Sequence, residues 1–171
     1  ATPRPGIPKK ILRMTVNGSP WEGAVDQQAL LLDVLRSQLG LTGTKRGCDM
    51  GTCACCAVLV EGEPRMACLQ LALEMEGREI TTIEGIQDGP LLSELQQAWA
   101  ECGASQCGFC TPGFIVVGEA LLERTPKPTE QEVREALAGN LCRCTGYVKI
   151  VEAFMRASQQ DGSAAGSSSD G

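Results

Sequence analysis

Ten cysteines and no histidine mark this chain of 171 residues. Eight of the cysteines fall into two groups of four. Cys48, Cys53, Cys56 and Cys68 are spaced C-x4-C-x2-C-x11-C, and Cys107, Cys110, Cys142 and Cys144 are spaced C-x2-C-x31-C-x-C. Four thiolates around one point form a soft donor set that suits iron–sulfur chemistry or structural zinc. Without histidine the chain cannot supply a Cys/His zinc site, a His general base or a Cys–His nucleophile pair.

The first spacing, a short ligand loop followed by a more distant fourth cysteine, is the plant-type [2Fe–2S] pattern. Zinc ribbons favour paired C-x2-C knuckles, and this group has only one. The loop Thr42-Gly-Thr-Lys-Arg-Gly-Cys48 through Cys56 contains glycines that let the backbone turn its N–H groups toward sulfur. Lys45 and Arg46 either soften cluster charge or are ordinary solvated cations. Cys55 competes with Cys56 for the x2 position, and we take Cys56 as ligand and Cys55 as a small buried residue. Cys68 is placed on a strand that closes the site.

In the second group, Cys107 and Cys110 precede a helix opened by Thr111-Pro112, and Cys142 and Cys144 precede the last helix. Two helix N-termini, with free N–H groups and positive dipole ends, converge on one anionic site. A thioredoxin-like dithiol would need a βαβ context, which is absent. Cys102 sits on an apolar helical face and reads as core. Two clusters on one small chain imply electron transfer.

The positioning elements follow from pattern. Ile11–Val16 reads as a strand, Asn17-Gly18 as a hairpin turn, and Trp21–Val25 as the returning strand. Asp26 is expected to cap a helix with Leu31, Val34, Leu35 and Leu39 on its apolar face, stopped by Gly40. Ala57–Val60 is a strand, Glu61–Pro64 a turn, Arg65–Leu69 the partner strand and Glu79–Ile83 a last strand. Farther on, Leu91, Leu95, Trp99 and Cys102 share a helical face. Thr111 caps a helix to about Arg124, Thr129 and Glu132 form a capping box on a helix closed by Gly139, and Tyr147 to about Ala157 is a fourth helix. The expected organisation is an extended arm over 1–9, a first cluster domain over 10–84, a linker over 85–90, a four-helix domain over 91–157 and a disordered tail over 158–171.

Composition sets the remaining bounds. Hydrophobic residues make up 43% and aromatics 4%, so the core must lean on aliphatic side chains. A net charge of −6 with no basic run argues against nucleic acid. No stretch approaches the ~20 apolar residues of a membrane span. Clustered CxxC and CxC pairs without an apolar leader point to a reducing, cytoplasmic setting rather than to secreted disulfides, and a processed periplasmic form stays open.

At Gly47-Cys-Asp-Met-Gly-Thr-Cys53, Gln106-Cys-Gly-Phe-Cys-Thr-Pro-Gly113 and Asn140-Leu-Cys-Arg-Cys-Thr-Gly-Tyr147 the chain resembles the iron–sulfur subunit of the molybdenum hydroxylases, the xanthine dehydrogenase and aldehyde oxidoreductase family. The resemblance spans about residues 11–157. It implies an α+β chain, with a plant-ferredoxin-like β-grasp [2Fe–2S] domain followed by a four-helix [2Fe–2S] domain. It also implies that Gln106 and Cys144 touch molybdopterin on a large partner subunit. Electrons would pass from molybdenum through both clusters to FAD on a medium subunit, with no bond chemistry on this chain. Two other readings are a free-standing ferredoxin-like carrier and a four-cysteine zinc interaction module. One departure stands out: Ala54 and Cys55 occupy positions where the family commonly has Gly and Ala. If residue 54 needs φ > 0, alanine costs roughly 1 kcal/mol there.

Overall fold

The computed structural model describes residues 8–87 and 91–159. Most of the expected arm, part of the expected linker and most of the expected tail lie outside the described residues.

β1 (Lys9–Val16) and β2 (Ser19–Asp26) form a hairpin in full register, Val16 opposite Ser19. Asn17 (φ 51°) and Gly18 (φ 73°) form its two-residue turn, as the sequence implied. β1 alternates strictly: Leu12, Met14 and Val16 are buried and the residues between them face outward. β3 (Ala57–Val60) and β4 (Glu63–Met66) form a second hairpin, and β5 (Glu79–Thr81) joins the two. The sheet order is β2-β1-β5-β3-β4, with β1 and β5 parallel and the other pairs antiparallel. The β3–β4 turn holds only Glu61 and Gly62, both at positive φ, so Pro64 belongs to β4. Proline is tolerated there because β4 is an edge strand.

α1 (Leu31–Ser37) lies across one face of the sheet and buries Leu31, Leu32, Val34 and Leu35 against Leu12, Met14, Val58 and Ile80. The expected Asp26 cap is not formed. Asp26 ends β2, and the extended residue Leu30 is the N-cap, without a side-chain cap. The first helical amides are satisfied from a distant segment instead: Leu31 N–H donates to Gln70 O at 2.9 Å and Leu32 N–H to Ala67 O at 3.1 Å. α1 also ends at Ser37, short of Gly40, whose φ of 73° serves the turn beyond the helix.

The second half contains α2 (Glu94–Glu101), α3 (Thr111–Arg124), α4 (Glu130–Ala136) and α5 (Val148–Ala157). The Thr129–Glu132 capping box is present as read, and Ser93 with Gln96 forms a second one on α2. Leu91 lies ahead of α2 and is exposed, so it does not belong to that helix face. Helix α4 closes at Leu137, not at Gly139. Cys110 rather than Thr111 is the N-cap of α3, because Phe114 N–H takes the Cys110 carbonyl at 3.2 Å.

Trp99, Phe114 and Phe154 meet at the centre of the four helices, with ring centroids 6.0 and 6.1 Å apart across the Trp99 pairs. Full burial of each phenylalanine is worth about 1.5–3 kcal/mol. Helix α3 also packs on the other face of the sheet. Ala57 and Leu59 of β3 meet Val116 and Ala120, so β3 is buried on both sides. Among the described residues no helix is long and apolar enough to cross a membrane.

Candidate iron–sulfur sites

The loop between α1 and β3 carries the first three cysteines. Its curl needs backbone in the left-handed region at Asp49 (φ 57°), Gly51 (φ 71°) and Ala54 (φ 50°). Gly47 lets the thiol pack close: a Cβ there would lie 2.9 Å from Cys53 Sγ and push it aside. Arg46 pairs with Asp33 of α1 and with Asp49, the latter at 2.5 Å, and Lys45 Nζ donates to Thr42 O at 2.8 Å. Both cations therefore brace the loop from outside.

The thiols of the first set lie in two pairs, Cys48 with Cys53 and Cys56 with Cys68, and among the described residues no three metal-binding side chains lie close enough together to hold an ion. Met50 N–H points to Cys48 Sγ at 3.5 Å. The Thr52 hydroxyl, then the Met50 and Thr52 amides, hold the Cys48 thiol down at about 6. Cys53 is within reach of Cys48, and Cys56 within reach of Cys68. Burial pushes the Cys56 thiol up to about 12. Cys68 is not on a strand as expected. It lies in the turn after β4, held by Ala67 N–H on Cys56 O (3.1 Å) and Leu69 N–H on Met66 O (2.9 Å). The same segment caps α1, so the helix, the loop and the fourth thiol are fixed together.

Of the adjacent pair, Cys56 lies with Cys68 in the core under α1, whereas Cys55 belongs to the core of the helical half with Cys53. Burial, then Cys53, pushes the Cys55 thiol up to about 12. The Cys55 S–H faces Cys53 O at 3.8 Å.

The second set forms at the N-termini of α3 and α5. Cys107 and Cys144 are exposed, with sulfurs 3.5 Å apart. Cys110 and Cys142 lie deeper and within reach of each other. The Phe109 amide, then Cys144, lowers the Cys107 thiol, and Cys107 in turn raises Cys144. Burial, then Cys142, pushes Cys110 up to about 12. Burial also opposes ionisation of Cys142, but the Thr145 hydroxyl (3.1 Å) and amide (3.4 Å) on its sulfur prevail and lower it. Gln106 is exposed beside Cys107. Cys107, Cys110, Cys142 and Cys144, with Phe109, Leu141, Arg143 and Tyr147 but without Gln106, line an open cavity of about 500 Å3 that also reaches Gly47, Cys53 and Cys55.

The two sites share a seam. Leu141 N–H donates to Cys53 O at 3.1 Å, one residue ahead of Cys142. At the foot of α3, Gly113 approaches the first loop so closely that a Cβ would sit 2.3 Å from Ala54 O and 3.1 Å from Cys55 Cα.

The donor chemistry fits two [2Fe–2S] clusters. Ionisation is favoured at Cys48, Cys107 and Cys142 and opposed by burial at Cys56 and Cys110, and cationic iron would offset the cost of ionising the buried thiols. N–H and O–H groups already aimed at Cys48 and Cys142 would then stabilise thiolate charge.

Three contributors were not read from the sequence. Thr52 and Thr145 act on sulfur through hydroxyls. Each follows its cysteine, Cys48 or Cys142, within about one turn of chain, a closeness that could have been noticed. Tyr147 takes φ 70° as the N-cap of α5, accepts the Cys142 N–H at 2.9 Å on its phenolic oxygen and packs edge-on against Phe114. Nothing local signals that conformation.

Family comparison agrees with this division. The family described as "2Fe-2S iron-sulfur cluster binding domain" matches residues 14–82, and "[2Fe-2S] binding domain" matches residues 82–155. The chain is 47% identical over 146 residues to the xanthine dehydrogenase iron-sulfur-binding subunit of Escherichia coli O157:H7, covering 84% of this chain and 91% of the relative. It is 50% identical over 147 residues to the nicotine 6-hydroxylase small subunit of Paenarthrobacter nicotinovorans, covering 86% and 88%. The crystal structure of quinoline 2-oxidoreductase from Pseudomonas putida 86 contains a chain that superposes with a TM-score of 0.85 at 42% identity, covering 88% of this chain and 93% of that one. Likeness at this level runs through both cysteine-bearing halves and nearly the full length of each counterpart, and so the chain belongs to the iron–sulfur subunits of the molybdenum hydroxylases, the xanthine dehydrogenase and aldehyde oxidoreductase family.

Proposed function

We propose that this chain is the electron-transfer subunit of a molybdenum-containing oxidoreductase and carries two [2Fe–2S] clusters. Cys48, Cys53, Cys56 and Cys68 hold the first, in a domain over residues 10–84. Cys107, Cys110, Cys142 and Cys144 hold the second, in a four-helix domain over residues 91–157. Such clusters supply one-electron redox capacity at low potential. In this reading the chain's own residues ligate, hydrogen-bond sulfur and present a docking surface, and bond chemistry on the substrate belongs to the partner.

The observation that carries this reading is the shared seam. The second set opens outward through exposed Cys107 and Cys144, on a rim with Phe109 and Leu141 exposed as well. Inward, it meets the first set through Leu141 N–H and Cys53 O. That order suits entry of electrons at the rim, from a molybdopterin centre on a large subunit near Gln106 and Cys144, and exit from the first set to FAD on a medium subunit. Apolar side chains around an exposed site suit a protein partner more than water.

Purification of the native protein tests the proposal. A brown complex with a molybdenum-bearing large subunit, four irons per copy of this chain and two distinct reduced-state EPR signals is expected. A colourless zinc-loaded chain would refute the clusters. A brown chain that purifies alone from its native source would refute the subunit role in favour of a free-standing carrier.

A further inference from the structure

Cys55 is the one cysteine of the first loop that the proposed ligand set leaves out. It is 5% exposed and belongs to the core of the helical half rather than to the core under α1. Its backbone is held on two sides. The carbonyl accepts the Lys45 N–H at 3.1 Å, and the Cα backs onto the foot of α3, where a Cβ on Gly113 would fall 3.1 Å from it. Its sulfur lies beside that of Cys53. A Cβ on Gly47 would meet Cys53 Sγ at 2.9 Å and Cys55 Sγ at 3.2 Å, so both sulfurs border one point of the loop. The two thiols are within hydrogen-bond reach of each other, and both line the cavity that opens onto the second set.

Packing alone would need only a small apolar residue here, whereas a thiol adds a weak S–H donor. Burial among apolar side chains keeps the proton on Cys55. The acceptor it faces is Cys53 O at 3.8 Å, a long contact to a carbonyl that already takes the Leu141 N–H at 3.1 Å. A charged thiolate is a stronger acceptor than a neutral carbonyl. With Cys53 ionised as a ligand, rotation about the Cβ–Sγ bond of Cys55 carries the proton to Cys53 Sγ without moving a heavy atom. A donor to ligand sulfur interacts more strongly with the reduced, more negative cluster and so raises the reduction potential.

We infer that the Cys55 S–H donates to Cys53 Sγ, making Cys55 a positioning residue that raises the reduction potential of the first cluster. The inference rests on Cys53 being a ligand of that cluster.

The test is an EPR-monitored redox titration of the cluster-loaded full chain, wild type against Cys55→Ala and Cys55→Ser. Removal of the donor in Cys55→Ala should make reduction of the first cluster about threefold less favourable, about 28 mV lower for one electron. Cys55→Ser keeps a donor and should stay at or above the wild type. The second cluster should not move. Infrared spectroscopy guards against Cys55 variants that fail to fold. With the eight proposed ligands on iron, two of the ten cysteines keep S–H bonds, Cys55 and Cys102. In a Cys102→Ala chain the single S–H stretch should therefore move to lower frequency when the first cluster is reduced. Equal potentials in the wild type and Cys55→Ala, with a stretch indifferent to reduction, would overturn the inference and leave Cys55 as packing. A Cys55→Ser potential as low as that of Cys55→Ala would overturn it too, as would a shift confined to the second cluster or equal shifts of both. If the first EPR signal survived Cys53→Ala, the ligand assignment itself would be at fault.

Discussion

Gly113→Ala is the sharpest probe of how the two halves meet. Gly113 lies in the first turn of α3, buried against the first cysteine loop. A methyl group there would fall 2.3 Å from Ala54 O and 3.1 Å from Cys55 Cα, both backbone atoms that cannot rotate away. Ordinary contact is near 3.5 Å, so the seam must open by about 1 Å. Overpacking of this kind costs about 1–3 kcal/mol. Alanine recovers less than about 1 kcal/mol of helix propensity. The net expectation is a loss of roughly 1–2 kcal/mol. For a chain of this size that lowers the melting temperature by about 2–8 °C. Circular dichroism melts of the cluster-loaded protein, at one scan rate, measure it. Gly139→Ala is the control, since a Cβ there meets nothing within 4 Å and its φ is not positive. A Gly113→Ala protein that melts with the wild type would refute the close approach. A Gly139→Ala protein that loses as much would show that the effect is not specific to the seam.

Ala54→Gly should raise the melting temperature, because a non-glycine residue at φ 50° carries about 1 kcal/mol of strain; a lower value would mean that the buried methyl matters more than the backbone. Cys107→Ala should abolish the EPR signal of the helical-half cluster and leave the other largely formed, and Cys48→Ala should do the reverse; loss of both signals from either change in a folded protein would contradict two separate sites. Burial raises Glu119 above the usual carboxylate range, only partly opposed by the Ser93 hydroxyl at 2.5 Å. The folded state therefore holds this proton more tightly than the unfolded state, and stability falls as pH rises from the ordinary carboxylate pKa through the raised one. Glu119→Gln should flatten that decline in melts taken across the acidic-to-neutral range, and an unchanged slope would refute the cause.

Much of the molecule was legible because its signals are local. The Asn17–Gly18 turn, the Thr129–Glu132 capping box and the alternation of β1 are each written within a few residues. Cysteine spacing is local too: C-x4-C-x2-C and the paired C-x2-C and C-x-C groups lie within short stretches, and the proposed ligand sets rest on that spacing. Element ends were less legible. Asp26 looked like a cap, but the helix starts only at Leu31, where its first amides go to Gln70 and Ala67 carbonyls about 40 residues away. Cys68 was read onto a strand because its sequence continues the β4 pattern, whereas the Leu69 N–H on Met66 O turns the chain at that point.

The linear order of residues thus determined the donor types, their grouping in fours and the α+β class. Only the folded chain decided that Cys56 lies with Cys68 while Cys55 turns toward the helical half, and that Gly113 must lack a side chain. Each of these depends on which surface of one half meets which surface of the other. Contacts of that kind join residues from opposite halves of the chain, and no short-range pattern encodes them.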